Sequence, residues 1–186
     1  MEAASRESRH AATLREIRFP QHIGLRCTPG TDAAEALEHA LGLSLPRRPL
    51  SSTGDPDGAH ILWLSPDEFL YVDVTGEHVS LDALSSALEG LGGQAVDLSS
   101  NRATLELSGT TARDVLESGC RIDLHPREFP VGMVVSTLLS TVNVIIHRSG
   151  EDVFRVIPRS SFAHYTVEWL LDAMAGHVPE YAAATR

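Results

Sequence analysis

His60-Ile61-Leu62-Trp63-Leu64 and Phe69-Leu70-Tyr71-Val72-Asp73-Val74 are two β-rich runs separated by Ser65-Pro66-Asp67-Glu68. Proline fixes its own φ at a value that suits the first central position of a turn, so the stretch predicts a β-hairpin. Upstream, Ile23–Cys27 reads as a short strand. Asp32 is placed to cap a following helix with Glu35 three residues on, and Ala33, Ala36, Leu37, Ala40 and Leu41 give that helix an apolar face. Downstream, Ser80 caps a helix carrying Leu81, Leu84, Leu88 and Leu91, which Gly92 and Gly93 stop.

The same grammar recurs. In Arg102–Leu107, alternation sets Ala103, Leu105 and Leu107 inward and Arg102, Thr104 and Glu106 outward. Thr111 caps a helix with Ala112, Val115 and Leu116. Met133–Leu138, Val142–His147 and Val153–Ile157 read as strands, the last two joined at Ser149-Gly150. Ser160 or Ser161 opens a last helix with Phe162, Tyr165, Trp169 and Leu170 on one side, ended by Gly176. The expected fold is α+β, with two pseudo-repeated strand-helix-strand-strand-helix halves, mostly antiparallel sheet and packed helices, in one compact unit. Residues 21–94 form the first half and 95–178 the second. Residues 1–20 and 179–186 are expected to be tails, and 46–58 a loop rich in proline and glycine.

Composition narrows the function. The chain has 186 residues and a formal net charge of -10. Nucleic-acid binding needs a basic face, and docking on anionic lipid needs one too, so both are excluded from expectation. All 15 basic residues are arginine. Without lysine there is no phosphate-binding P-loop and no Schiff-base chemistry. Cys27 and Cys120 are too far apart in sequence, and lack a CxxC, for a zinc site or a disulfide scaffold. No apolar run is long enough for a membrane span, and the N-terminus lacks the apolar core of a secretory signal. A cytoplasmic location is expected.

No motif for chemistry emerges. Asp67 and Glu68 are neighbours entering a strand, so they point to opposite faces and do not converge on one atom. None of the nine histidines stands three or four residues from another, which leaves no helix face with two imidazoles for a metal. Asp123-Leu124-His125 sets a carboxylate and an imidazole two apart without a nucleophile motif, as a loop satisfying its own backbone does. Gly90, Gly92 and Gly93 follow a helix instead of opening one, so they do not form a dinucleotide fingerprint. Cys120 beside Arg121 reads as a buried thiol before a reactive one. The last helix is broader in its apolar character: Val167 and Leu171 widen the stripe of Phe162, Tyr165, Thr166, Trp169, Leu170 and Met174. Such a helix needs cover from a third layer of the chain or from a partner.

Several spaced segments resemble the gamma subunits of bacterial heterotetrameric sarcosine oxidases. They are Trp63-Leu64-Ser65-Pro66-Asp67-Glu68-Phe69-Leu70, Val96-Asp97-Leu98-Ser99 with Arg102, and Leu107-Ser108-Gly109 with Ala112-Arg113-Asp114-Val115-Leu116. The densest is Gly119-Cys120-Arg121-Ile122-Asp123-Leu124-His125-Pro126, continuing through Phe129-Pro130-Val131-Gly132. Val156-Ile157-Pro158-Arg159-Ser160 then leads into Phe162, Tyr165 and Trp169-Leu170-Leu171. The resemblance runs from about residue 60 to 175.

It implies the two-part fold of the aminomethyltransferase folate-binding domain and a non-catalytic role in assembling and stabilising an enzyme that demethylates sarcosine to glycine. It also implies alpha, beta and delta subunits as partners, with FAD, FMN, NAD, zinc and tetrahydrofolate held on those chains and no cofactor, metal or catalytic residue on this one. The residues expected to face a partner are Cys120, Asp123, His125, Phe129, Arg159, Val167 and Leu171. Two other readings share the fold: a free-standing folate-binding protein or folate-dependent enzyme, and a subunit of a related N-methyl amine oxidase.

Overall fold

A computed structural model of the chain describes residues 12–177 and places Arg6–Glu7 in a strand. The order begins β1 (Arg6–Glu7), β2 (Thr13–Ile17), β3 (Gln21–Cys27), α1 (Asp32–Leu41), β4 (Ser52–Gly54), β5 (Ala59–Ser65) and β6 (Glu68–Asp73). It continues with α2 (Leu81–Ala87), β7 (Gly93–Asp97), β8 (Thr104–Ser108), α3 (Ala112–Glu117), β9 (Val134–Leu139), β10 (Val142–Gly150) and β11 (Val153–Pro158). A 3-10 turn over Ser160–Phe162 leads into α4 (Ala163–Gly176). The chain divides into two compact units: Arg18–Arg102 with Gly132–Val135, and the segments up to Ile17, Ala103–Val131 and from Ser136 onward.

The first unit is built on the hairpin. β5 and β6 pair antiparallel with Trp63 opposite Phe69, and a bulge between Trp63 and Ser65 admits the Pro66-Asp67 turn. The sheet order is β4-β5-β6-β3-β7. Alternation puts Ile23, Leu25 and Cys27 of β3, Phe69 and Tyr71 of β6 and Ile61 of β5 on one side. There they form a buried cluster with Ala33, Ala34 and Leu37 of α1 and Leu84 of α2. The opposite face is buried too, at His22, His60, Leu62, Leu70 and Val72.

Local chemistry explains some element ends. Ser80 caps α2 by accepting the Ala83 N–H, as expected. At α1 the capping box does not form: Thr31 is the N-cap, and its hydroxyl turns back to the Thr28 carbonyl at 2.7 Å. Asp32 and Glu35 instead occupy the first turn, where carboxylates complement the helix dipole. Gly92 and Gly93 do more than stop α2, because Gly93 opens β7. A Cβ at Gly93 would lie 2.8 Å from Leu88 Cδ2 and 3.1 Å from Ala33 Cβ, so glycine is what lets both helices close on this strand.

The second unit carries the sheet β1-β2-β8-β11-β10-β9. Leu14, Leu107 and Phe154 stand in register across β2, β8 and β11. One step along, Arg15, Glu106 and Arg155 stand in register on the other face. Glu106 accepts from Arg15 Nε at 2.6 Å and from Arg155 Nη2 at 3.4 Å. Thr104 and Glu106, expected to face solvent, are buried. Strict alternation predicts a wet face only when one side of a sheet is covered, and here both sides are. α3 packs against β11 and α4.

Three strands lie where the sequence does not announce them. The expected 1–20 tail contains β2, whose Leu14 is buried. The 46–58 loop contains β4, and its flank Leu45 and Pro46 is buried. β7 joins β3, so the first half runs past residue 94, and Leu98 N–H still bonds the His22 carbonyl at 2.8 Å. None of the three carries a regular apolar–polar alternation along its length. Residues 179–186, expected as a tail, lie outside the described residues, as do residue 178 and most of the first eleven.

The repeat is legible in the sheet orders. β4-β5-β6-β3-β7 corresponds, strand for strand, to β9-β10-β11-β8-β2. The fifth strand differs only in where it comes from: β7 follows its own helix α2, whereas β2 arrives from the N-terminus.

Candidate partner interface

Of the segments singled out in the second unit, Gly119-Cys120 meets α4. Gly119 lies beneath the indole of Trp169, where a Cβ would sit 2.6 Å from Cη2. Beside it Cys120 bridges to Leu139, and its N–H bonds the Leu116 carbonyl at 2.8 Å. Cys120 is a half-buried free thiol. Asp123 and His125 are exposed and serve their own loop. Asp123 Oδ1 accepts the His125 N–H at 2.8 Å, and His125 Nδ1 accepts the Arg127 N–H at 3.3 Å. The His125 carbonyl takes the Phe129 N–H at 2.8 Å. These are turn bonds, and the pair makes no carboxylate–imidazole contact.

Phe129 departs from expectation. Its ring is buried within this chain at 1% exposure, and its carbonyl accepts from Arg148 Nη1 at 2.8 Å. With buried Leu124 it anchors the otherwise exposed Asp123–Glu128 loop, and it offers no surface of its own. The apolar–polar alternation of that short loop does not reveal which way the ring turns.

On α4, Ala163, Thr166, Leu170 and Met174 form the buried stripe, narrower than expected. Tyr165 is 41% exposed and Phe162 47%, whereas Val167, Trp169 and Leu171 are half-buried. Tyr165 Oη is 3.0 Å from Ser140 Oγ and 3.4 Å from Thr141 Oγ1. These two hydroxyls, in that order, stabilise its phenolate and lower the phenol's pKa. Arg159 is exposed at the head of the 3-10 turn, and its carbonyl takes the Phe162 N–H at 2.9 Å. The result is an open patch of two aromatic side chains and an arginine at the head of α4. Sequence spacing finds the stripe but assigns Phe162 and Tyr165 to the core.

The remaining candidates resolve into structure. Asp67 is held below the ordinary carboxyl range by the Ser65 hydroxyl and then by Arg26, and Glu68 is exposed beyond it. Burial, then Glu38, pushes the Cys27 thiol up, which suppresses thiolate chemistry. In Val96-Asp97-Leu98-Ser99, Ser99 Oγ accepts the His22 N–H at 3.1 Å and bonds Asp97 Oδ1 at 2.6 Å, closing the start of β3. Recesses of about 350 and 540 Å³ flank the α1 N-terminus, and the second includes Asp32, which opposes anion binding there. Among the described residues no three His, Cys, Asp or Glu side chains gather as metal ligands. No described helix is long and apolar enough to cross a membrane.

Comparison with known proteins gives this arrangement its context. The model of the sarcosine oxidase, gamma subunit family matches residues 27–176, reaching further upstream than the resemblance read from motifs. The protein named sarcosine oxidase subunit gamma from Corynebacterium sp. (strain U-96) is 44% identical over 184 residues, covering 99% of this chain and 87% of that one. The protein of the same name from Arthrobacter sp is 43% identical over 175 residues, covering 94% and 84%. Among solved structures, a chain of the heterotetrameric sarcosine oxidase from Corynebacterium sp. U-96, in complex with pyrrole 2-carboxylate, matches with TM-score 0.86 and 43% identity, over 93% of this chain and 88% of that one. The glycine cleavage system aminomethyltransferase T from Bartonella henselae matches with TM-score 0.66 and 22% identity, over 88% of this chain and 46% of that one. That likeness establishes a shared fold alone, the α+β architecture expected from the motifs. The chain belongs to the sarcosine oxidase gamma subunit family.

Proposed function

We propose that this chain is the gamma subunit of a cytoplasmic heterotetrameric sarcosine oxidase, the complex that demethylates sarcosine to glycine, and that it assembles and stabilises the flavin-bearing subunits. Likeness at 44% identity across 99% of the chain carries the reading. The alpha, beta and delta subunits are its partners, and FAD, FMN, NAD, zinc and tetrahydrofolate belong to them.

The assembly role draws support from the α4 patch. Arginine and aromatic side chains are the types enriched at interface centres, and an exposed pair of rings costs solubility unless covered. Arg159, Phe162 and Tyr165 face a partner on one flank of α4 and Val167 and Leu171 on the other, and Cys120, Asp123 and His125 add to the contact. Phe129 supports it from beneath.

Co-expression with the other three subunits, with the purification tag on this chain, tests the reading. A yellow four-subunit complex is expected. A colourless single polypeptide overturns it, and tight one-to-one binding of tetrahydrofolate by the isolated chain replaces it with the folate-binding reading.

A further inference from the structure

The correspondence between the two sheets breaks at one edge. Beyond β2 the second sheet continues into β1, with Arg6 opposite Leu14 and Glu7 opposite Thr13, antiparallel. Beyond β7, which corresponds to β2, the first sheet ends.

The register shows what β7 leaves open. Val96 pairs with Gly24 and Gln94 with Arg26, and the ladder closes with Leu98 N–H on the His22 carbonyl at 2.8 Å. In an antiparallel ladder the bonded positions alternate, so Gln94, Val96 and Leu98 direct their backbone groups to β3. Ala95 and Asp97 therefore direct theirs away from the sheet. Among the described residues no backbone hydrogen bond reaches those outward groups.

The edge is also unprotected. Natural edge strands are blunted by proline, lysine, a bulge or a covering loop. Gly93–Asp97 contains no proline and no basic residue, and pairs with β3 without a bulge. Val96 is 41% exposed. The strand's one charge, Asp97, is bonded to the Ser99 hydroxyl and amide at 2.6 and 2.8 Å.

We propose that β7 is a strand-addition site, where an extended segment of another subunit of the oxidase pairs antiparallel, as β1 does on β2. The inference rests on the gamma-subunit reading above. The ligand is a short stretch of extended main chain whose N–H and C=O groups meet those of Ala95 and Asp97. A β-branched or aliphatic side chain lies beside Val96 as its cross-strand neighbour.

Hydrogen exchange, read residue by residue in the free chain and in the assembled complex, tests it. The Ala95 and Asp97 amides gain roughly tenfold protection or more on assembly, whereas Gln94 and Val96 are protected in both states. Val96→Lys weakens assembly by about tenfold in Kd without lowering the free chain's melting temperature. An intact complex in which Ala95 and Asp97 exchange as in the free chain overturns this inference alone, as does unchanged assembly by Val96→Lys. Protection in the free chain that disappears on dilution assigns the edge to a second copy and overturns it as well. A wild-type chain that recruits no other subunit overturns both this inference and the functional reading.

Discussion

Trp169 lies on Gly119. A Cβ at Gly119 would overlap Cζ2 of the indole and fall 2.6 Å from Cη2, so the loop after α3 and the outer flank of α4 touch without an intervening side chain. The Ser118-Gly119-Cys120 motif is therefore a packing requirement. Its glycine is chosen for space, and no unusual φ is needed there.

Gly119→Ala drives a methyl group into the indole, which must tilt or push α4 outward. The expected loss is about 2 kcal/mol of stability, the usual scale of overpacking. Chemical denaturation measures it. Adding Trp169→Leu to the Gly119→Ala variant recovers part of the loss, whereas Trp169→Leu in the wild type is destabilising.

The cross-strand ladder sorts its charges by burial. Arg155 is 1% exposed and Glu106 8% at their side chains, while Arg15 is 58% exposed. Glu106→Gln leaves a buried guanidinium without this carboxylate and costs about 3 kcal/mol. Arg15→Gln removes an exposed partner and costs under about 1 kcal/mol. Urea titrations of the two variants are expected to rank them in that order, and equal losses would contradict the assignment.

β2 gives the N-terminal segment a structural role. Leu14→Ala empties a buried position and is expected to cost about 2–4 kcal/mol. Deleting residues 1–17 additionally exposes the β8 edge. That variant is expected to aggregate on concentration, which light scattering would register.

His22 sets a pH window. An imidazole ordinarily titrates near pH 6.5, but burial first, and then the Arg102 guanidinium and His60, lower His22 to about 4, against a raising effect of Asp97. Between those values the unfolded chain holds a proton that the folded chain does not. Stability therefore declines as pH falls from about 6.5 to about 4, and this contribution is level above that range. The full change is about 3 kcal/mol. The urea midpoint measured at pH 7 and at pH 4.5 is expected to differ less in His22→Gln than in the wild type. Asp97, held below the ordinary carboxyl range by Ser99, loses its contribution only at still lower pH.

What the sequence by itself determined is the local grammar. The Pro66 turn between two β-rich runs, the Ser80 cap, the leucine spacing of α2 and the end of α4 at Gly176 depend on residues within a few positions of one another. Their outcome is set by dihedral preference and hydrophobic period. The motif segments also sufficed for the family, because short spaced patterns survive as sequence. Tertiary structure alone decided that β2 and β7 became strands, since they take their hydrogen bonds from β8 and β3, far along the chain. It decided that Phe129 turns inward while Phe162 and Tyr165 stay outside. Both outcomes depend on which elements arrive to cover a face, and no local period encodes that. The surfaces proposed for contact, an aromatic helix face and an open sheet edge, required knowing what the rest of the chain leaves uncovered.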